Sequence, residues 1–302
     1  MRIGVMIGGR QDLDGLLSRT KELEAQGFNS VWMPNVFGLD AIGTLTVIGH
    51  ATEKIELGTA VVPTFPRHPV TMAQQALTAQ AASRGRFTLG IGLSHKFVIE
   101  DMWGMSFERP AKHMRHYLDV LLPLLQGGEV DVENESYRVH ANYGIPGTQR
   151  PPVLLAAMGE QMLGLAGTMA EGTSLWMTGP KTIEDYIEPN LREASARAER
   201  KMPRIVAAFP IAITDDPEKA RERVGRMLAN YGPIPSYRAM LDREGAAGPE
   251  DVAILGNERT LDEALDRLKA IGVSDFSGSI MPVDPDAEGR TVAYLVSRLG
   301  RE

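Results

Sequence analysis

The chain has no cysteine among its 302 residues, which removes disulfides, Cys-ligated zinc, iron–sulfur clusters and thiol nucleophiles from consideration and fits a reducing compartment. Its six histidines show no HExxH spacing, so neither a structural nor a catalytic metal is expected. Lysine and arginine form no block and the formal net charge is −7, which leaves no broad basic footprint for nucleic acid. No apolar run reaches the roughly 18 residues a membrane-spanning helix needs. The opening "MRIGVMIGGRQDLDG" turns polar too soon for the apolar core of a signal peptide, and we expect a soluble cytosolic protein. Internal repeats, low-complexity tracts and a linker are missing as well.

What is present is alternation. Short apolar runs at 2–7, 30–33, 54–62, 86–92, 152–158, 172–177, 204–213 and 275–281 read as strands. Between and after them, segments at 13–28, 40–51, 70–82, 107–128, 160–170, 181–200, 217–230, 260–270 and 287–299 carry apolar residues at helical spacing. Strand followed by helix, eight times over, points to parallel βαβ units, because parallel neighbours need a crossover. An open doubly wound sheet could hold eight strands, but none of these runs into GxGxxG. We therefore expect a single (β/α)8 barrel domain over 1–302, with insertions at about 93–112, 129–150 and 231–250.

In such a barrel the chemistry sits at the C-terminal ends of the strands. Two of those ends, "GLSHK" after the fourth strand and "AMGEQ" after the fifth, are glycine-containing turns that open toward a helix. Exposed N–H groups in such turns suit a phosphate, with Lys96 and Thr178 nearby, although a tight connection uses the same residues. The third strand end, "AVVPTFPRHP", carries three prolines, which cannot extend a sheet ladder.

The block "LGTAVVPTFPRHPVTMAQQALTAQAASRGRFTLGIGLSHK" (57–96), together with "PVLLAAMGEQMLGLAGTMAEGTSLWMTGP" (152–180), resembles the bacterial-luciferase-like monooxygenase superfamily, and its "RHP" and "LGIG" resemble the branch that uses coenzyme F420, a deazaflavin. The resemblance spans nearly the whole chain. It implies a cis peptide bond between Ala60 and Val61, bulging against the back of the deazaflavin ring. It further implies contacts to the phosphate and ribityl chain from Gly92, Leu93 and Ser94, from Ala157, Met158 and Gly159, and from Gly179. His95 and Lys96 stand at the same mouth, where relatives carry acidic residues.

The resemblance also implies an F420-dependent oxidoreductase that moves a hydride between the cofactor and a small organic substrate, with homodimers the usual assembly. An FMN-dependent monooxygenase and a barrel that only binds a flavin or deazaflavin are the alternatives. Asn35 takes the polar position after the second strand, either near the ring or substrate or capping the next helix. Val36 follows it where the branch's sugar-phosphate dehydrogenases have a histidine, so sugar oxidation by such a base is not expected. His95 is either a proton donor or a loop residue. His68 reads as an anchor of the strand-three loop, and Trp32, Trp103 and Trp176 as packing or pocket lining.

Overall fold

The computed structural model describes residues 1–9 and 11–300. Eight parallel strands close into a ring: β1 (Arg2–Met6), β2 (Ser30–Met33), β3 (Glu56–Thr59), β4 (Phe87–Gly92), β5 (Val153–Leu155), β6 (Gly172–Trp176), β7 (Arg204–Ile213) and β8 (Asp275–Ile280). Each pairs with the next, and β8 returns to β1 with Arg2 opposite Asp275 and Gly4 opposite Ser277. The fold is thus the expected (β/α)8 barrel.

Alternation along each strand sorts the side chains into two sets. Ile3, Val5, Val31, Leu57, Phe87, Leu89, Ile205 and Phe276 face outward and join the helices in the main core. Trp32, Leu154 and Val206, with Met6 and Ala60 against them, form a separate cluster inside the barrel. The outer shell is built from α1 (Leu13–Ala25), α2 (Ala41–His50), α3 (Pro69–Ala82), α4 (Pro110–Leu125), α5 (Glu160–Met169), the run Pro180–Arg197 with one π-helical stretch, and Pro217–Leu228, Glu258–Ala270 and Ala287–Arg298. Asp12, Asp40, His68, Asp216 and Asn257 each accept a backbone N–H at the start of the helix that follows them.

Two stretches differ from the expectation. The segment expected as a polar insertion, 129–150, contains an antiparallel hairpin, Glu129–Glu133 against Arg138–Asn142, in which Val130 and Val139 are the buried members. The loop-rich stretch 231–250 contains a helix, Pro235–Glu244, whose buried residues are only Met240 and Leu241, so its apolar stripe is too thin to read. Where the resemblance implies a bulge, β3 is interrupted: it stops at Thr59 and resumes for two residues at Val62–Pro63.

Candidate active site at the barrel mouth

The two ends of the barrel interior are lined by different residues. At the closed end, the inward positions are Arg2, Glu56, Thr88, Arg204 and Asp275. Arg204 bridges Glu56 (3.0 Å) and Asp275 (2.7 Å), Arg2 pairs with Glu56 and reaches Asp275 at 3.3 Å, and Thr88 donates to Glu56 at 2.6 Å. Burial pushes the Glu56 carboxyl up, but Arg204, Arg2 and the Thr88 hydroxyl outweigh it and hold it below its ordinary value. Above this layer lies Trp32, fully buried, with the Arg204 guanidinium 5.9 Å from its ring centre. A methyl on Gly58 would lie 2.2 Å from the Trp32 ring, so only glycine leaves room for the indole.

Continuing the same alternation toward the open end, the inward positions become Gly90, Gly92, Ala156, Ala208, Ser277 and Ser279. Every one is small. The interior above Trp32 is therefore a bowl rather than a packed core.

One wall of the bowl is the break in β3. Leu57 and Gly58 pair with Phe87 and Thr88, whereas Val62 and Pro63 pair with Ile91 and Gly92. Three residues, 59–61, thus face two on β4, which is a β-bulge. The Ala60–Val61 peptide bond within it is cis. Ala60 and Val61 are half-exposed, while 57–59, 62–64 and 87–92 are all buried, so these two residues form a shelf open to the mouth.

The shelf requires the glycines of "LGIG". A methyl on Gly90 would lie 2.0 Å from the Thr59 carbonyl oxygen, and one on Gly92 would lie 2.6 Å from Val61 Cγ2. Threonine hydroxyls replace the ladder bonds that the bulge removes. Buried Thr59 Oγ1 accepts from the Gly90 N–H and donates to the Gly90 carbonyl, both at 2.8 Å. Thr173 Oγ1 works in the same way beside β5, donating to Leu155 O (3.0 Å).

The proline-rich loop beyond the shelf is fastened on three sides. His113 of α4 stacks on Phe65 (4.1 Å, 9°), with its Nε2 3.1 Å from Thr64 Oγ1. Tyr117 donates its hydroxyl to Arg67 O at 3.0 Å, and Arg67 pairs with Asp40. His68 accepts the Val70 N–H at the start of α3 and meets the Tyr137 ring edge-on, which is the anchoring role expected of it.

The residues expected at the site fall as follows. Ala60, Val61, Gly92, Leu93, Ser94 and His95 share the β3 and β4 ends, and Ala157, Met158 and Gly159 the β5 end. Lys96 lies on the β4 loop but pairs with Glu100. Burial holds the His95 imidazole below its ordinary pKa, which leaves it neutral at pH 7. Asn35 Oδ1 accepts the Ala41 N–H at 3.0 Å, capping α2, with Arg67 at 3.5 Å. The Thr178 hydroxyl is buried without a partner.

Gly179 is covered. Glu244, from the helix that sequence reading missed, accepts from the N–H groups of Lys181 (3.1 Å) and Thr182 (2.7 Å), and a methyl on Gly179 would lie 2.2 Å from its carboxyl carbon. The helix N-terminus after β6 is thus filled by the chain's own carboxylate. That of α5, at Gly159, has no side-chain cap.

The comparisons agree with the barrel fold. The family model described as "Luciferase-like monooxygenase" matches residues 1–275. A Mycobacterium tuberculosis protein named as a coenzyme F420-dependent oxidoreductase is 26% identical over 250 residues, 76% of this chain and 72% of that protein. The 5,10-methylenetetrahydromethanopterin reductase of Methanopyrus kandleri is 28% identical over 287 residues, 88% of this chain and 77% of that protein. Among solved structures, an F420-dependent secondary alcohol dehydrogenase in complex with an F420-acetone adduct superposes with a TM-score of 0.82 at 16% identity, covering 100% of this chain and 99% of that one. By the match over residues 1–275, the chain belongs to the luciferase-like monooxygenase family.

Proposed function

We propose that the protein is a coenzyme F420-dependent oxidoreductase that moves a hydride between the deazaflavin and a small organic substrate. The observation that carries this reading is the half-exposed Ala60–Val61 shelf beside a bowl whose inward positions are mostly glycine, alanine or serine, with Trp176 on one side: a rigid cavity of this lining suits a flat, multi-ring group. The named relatives favour the deazaflavin over FMN. When bound, that cofactor supplies or accepts the hydride at C5.

The chain's own residues bind and orient. Ala60 and Val61 support the ring, and Gly92, Leu93 and Ser94 leave backbone close to it. The α5 N-terminus, which has no side-chain cap, receives the phosphate beside Ala157, Met158 and Gly159, where the helix dipole favours negative charge; the Ala157 N–H itself is held by Thr173 Oγ1 at 3.3 Å. Thr178 offers its unpartnered hydroxyl, and Lys96 stands at the rim in an ion pair with Glu100. Asn35, with its oxygen held by Ala41, keeps its amide NH2 for the ring edge or substrate. His95, half-buried at the mouth, is the candidate for proton transfer: with its pKa lowered by burial its free ring nitrogen accepts a proton at neutral pH, and it donates only from the imidazolium so formed. A cytoplasmic homodimer completes the proposal.

Titrating the protein with F420 and with FMN, followed by fluorescence quenching, tests the reading. F420 binding at least tenfold tighter than FMN, with reduced F420 consumed anaerobically by a ketone or enone panel, is the expected result. Tighter FMN binding with oxygen uptake would favour the monooxygenase, and binding without turnover a non-catalytic barrel.

A further inference from the structure

Five aromatic side chains form an arc over one side of the bowl. Trp176, the last inward residue of β6, is half-buried. Tyr231 meets it edge-on at 6.3 Å and 70°, and Tyr237 meets Tyr231 edge-on at 5.3 Å and 81°. His95 lies 5.6 Å from Tyr237 at 55°, and Phe97 is parallel to His95 at 6.0 Å. The arc therefore runs from the tip of β6 to the loop after β4, passing over β5.

Its support is fixed. Tyr237 rides on the helix Pro235–Glu244, whose far end is fastened by Glu244 to the Lys181 and Thr182 N–H groups and to the Thr182 hydroxyl (2.8 Å). Arg243 of the same helix sits 3.8 Å over the Tyr186 ring. The arc carries no charge at neutral pH, since burial keeps His95 neutral and Lys96 beside it is committed to Glu100. A ligand on this side of the mouth meets ring faces, ring edges and two phenolic hydroxyls. A carboxylate placed there would lose water and gain no cation from the arc.

We propose that this arc is the substrate wall of the site and that it selects a flat, uncharged, conjugated carbonyl compound bearing an aryl ring. The proposal rests on the reading of the mouth as the deazaflavin site. Ring-on-ring contact holds the aryl group, and the Tyr237 hydroxyl donates to the carbonyl oxygen.

Benzylideneacetone and cinnamate test it, because they share the phenyl ring and the double bond and differ in charge. Calorimetric titration of the full-length protein, with and without saturating F420, is the measurement. The wall predicts that benzylideneacetone binds at least tenfold tighter than cinnamate. Tyr237→Ala should weaken benzylideneacetone at least tenfold, Tyr237→Phe should hold it within about threefold, and both variants should bind F420 within twofold of the parent.

Cinnamate binding as tightly as benzylideneacetone, no benzylideneacetone binding at millimolar concentration, or an unchanged affinity in Tyr237→Ala would each overturn the proposal. So would a Tyr237→Ala variant that loses F420 instead, since the arc would then belong to the cofactor. Failure of F420 to bind the parent, with the benzylideneacetone preference intact, would remove the cofactor reading and leave the wall standing.

Discussion

The closed and open ends of the barrel use one strand alternation to opposite ends. At the closed end the inward residues are long and charged, and they satisfy one another: Arg204 spans Glu56 and Asp275 beneath a fully buried Trp32. At the open end the same alternation delivers mostly glycine, alanine and serine, with Trp176 on one side, and much of the lining is backbone. The ion-paired floor and the half-exposed shelf are separate, so a substitution in the floor should leave the shelf nearly untouched.

The largest stability effect should come from the floor. Glu56→Gln removes the carboxylate that Arg2 and Arg204 share, and breaking such a buried pair costs about 3–5 kcal/mol. Denaturant unfolding should show that loss while F420 affinity stays within about twofold. Because Glu56 titrates below its ordinary value when folded, its contribution is present above that ordinary range and is lost as pH falls through the folded value.

A somewhat smaller effect should couple the two ends. Gly90→Ala forces a methyl against the Thr59 carbonyl oxygen and should cost about 3 kcal/mol. Unlike the floor variant, it should also weaken F420 by tenfold or more, since the shelf must move. Thr59→Val leaves the Gly90 N–H without its hydroxyl partner, at a cost of about 1–2 kcal/mol, again with a roughly tenfold loss of F420 affinity. Thr59→Ser should restore both. A structural role alone would move the unfolding free energy and spare the affinity.

The last effect concerns the loop behind the shelf and vanishes at neutral pH. Burial, and after it the charge of His116, push His113 down to about 4. The unfolded chain takes up this proton near the ordinary value of 6.5 and the folded chain only near 4, so the unfolded state binds more protons between the two. Stability should therefore rise with pH across that window and be complete above it. His113→Gln should flatten this part of the pH–stability curve.

The same contrast between ends explains what the sequence discloses. Strands buried on both faces are continuous apolar runs, so all eight can be read directly, as "RIVAAFPIAI" shows. The hairpin at 129–142 leaves a fainter trace, the valines of "EVDVE" and "RVHAN" at alternate positions, which could have revealed it. The helix Pro235–Glu244 buries too little to announce itself, and with it went Glu244, the residue that covers Gly179.

At the mouth, "LGIG" and "AVVP" are legible as motifs by resemblance, but their dependence on each other is not. It lies in a one-residue register slip between strands and in a threonine hydroxyl reaching across 31 residues of sequence. His113 holds Thr64 from 49 residues away, a contact that no local pattern encodes. Asn35 illustrates the reverse limit: its position fits either chemistry or a cap, and its oxygen serves as the cap.

The claim that the small-residue bowl holds the cofactor ring is tested most directly by filling it. Ala156 faces inward, is half-exposed and sits beside Gly92 at the base of the opening. The affinity of Ala156→Phe for F420, measured by fluorescence quenching on protein whose melting temperature matches the parent, should fall at least a hundredfold. An affinity equal to the parent's in that variant would place the deazaflavin elsewhere and contradict the account.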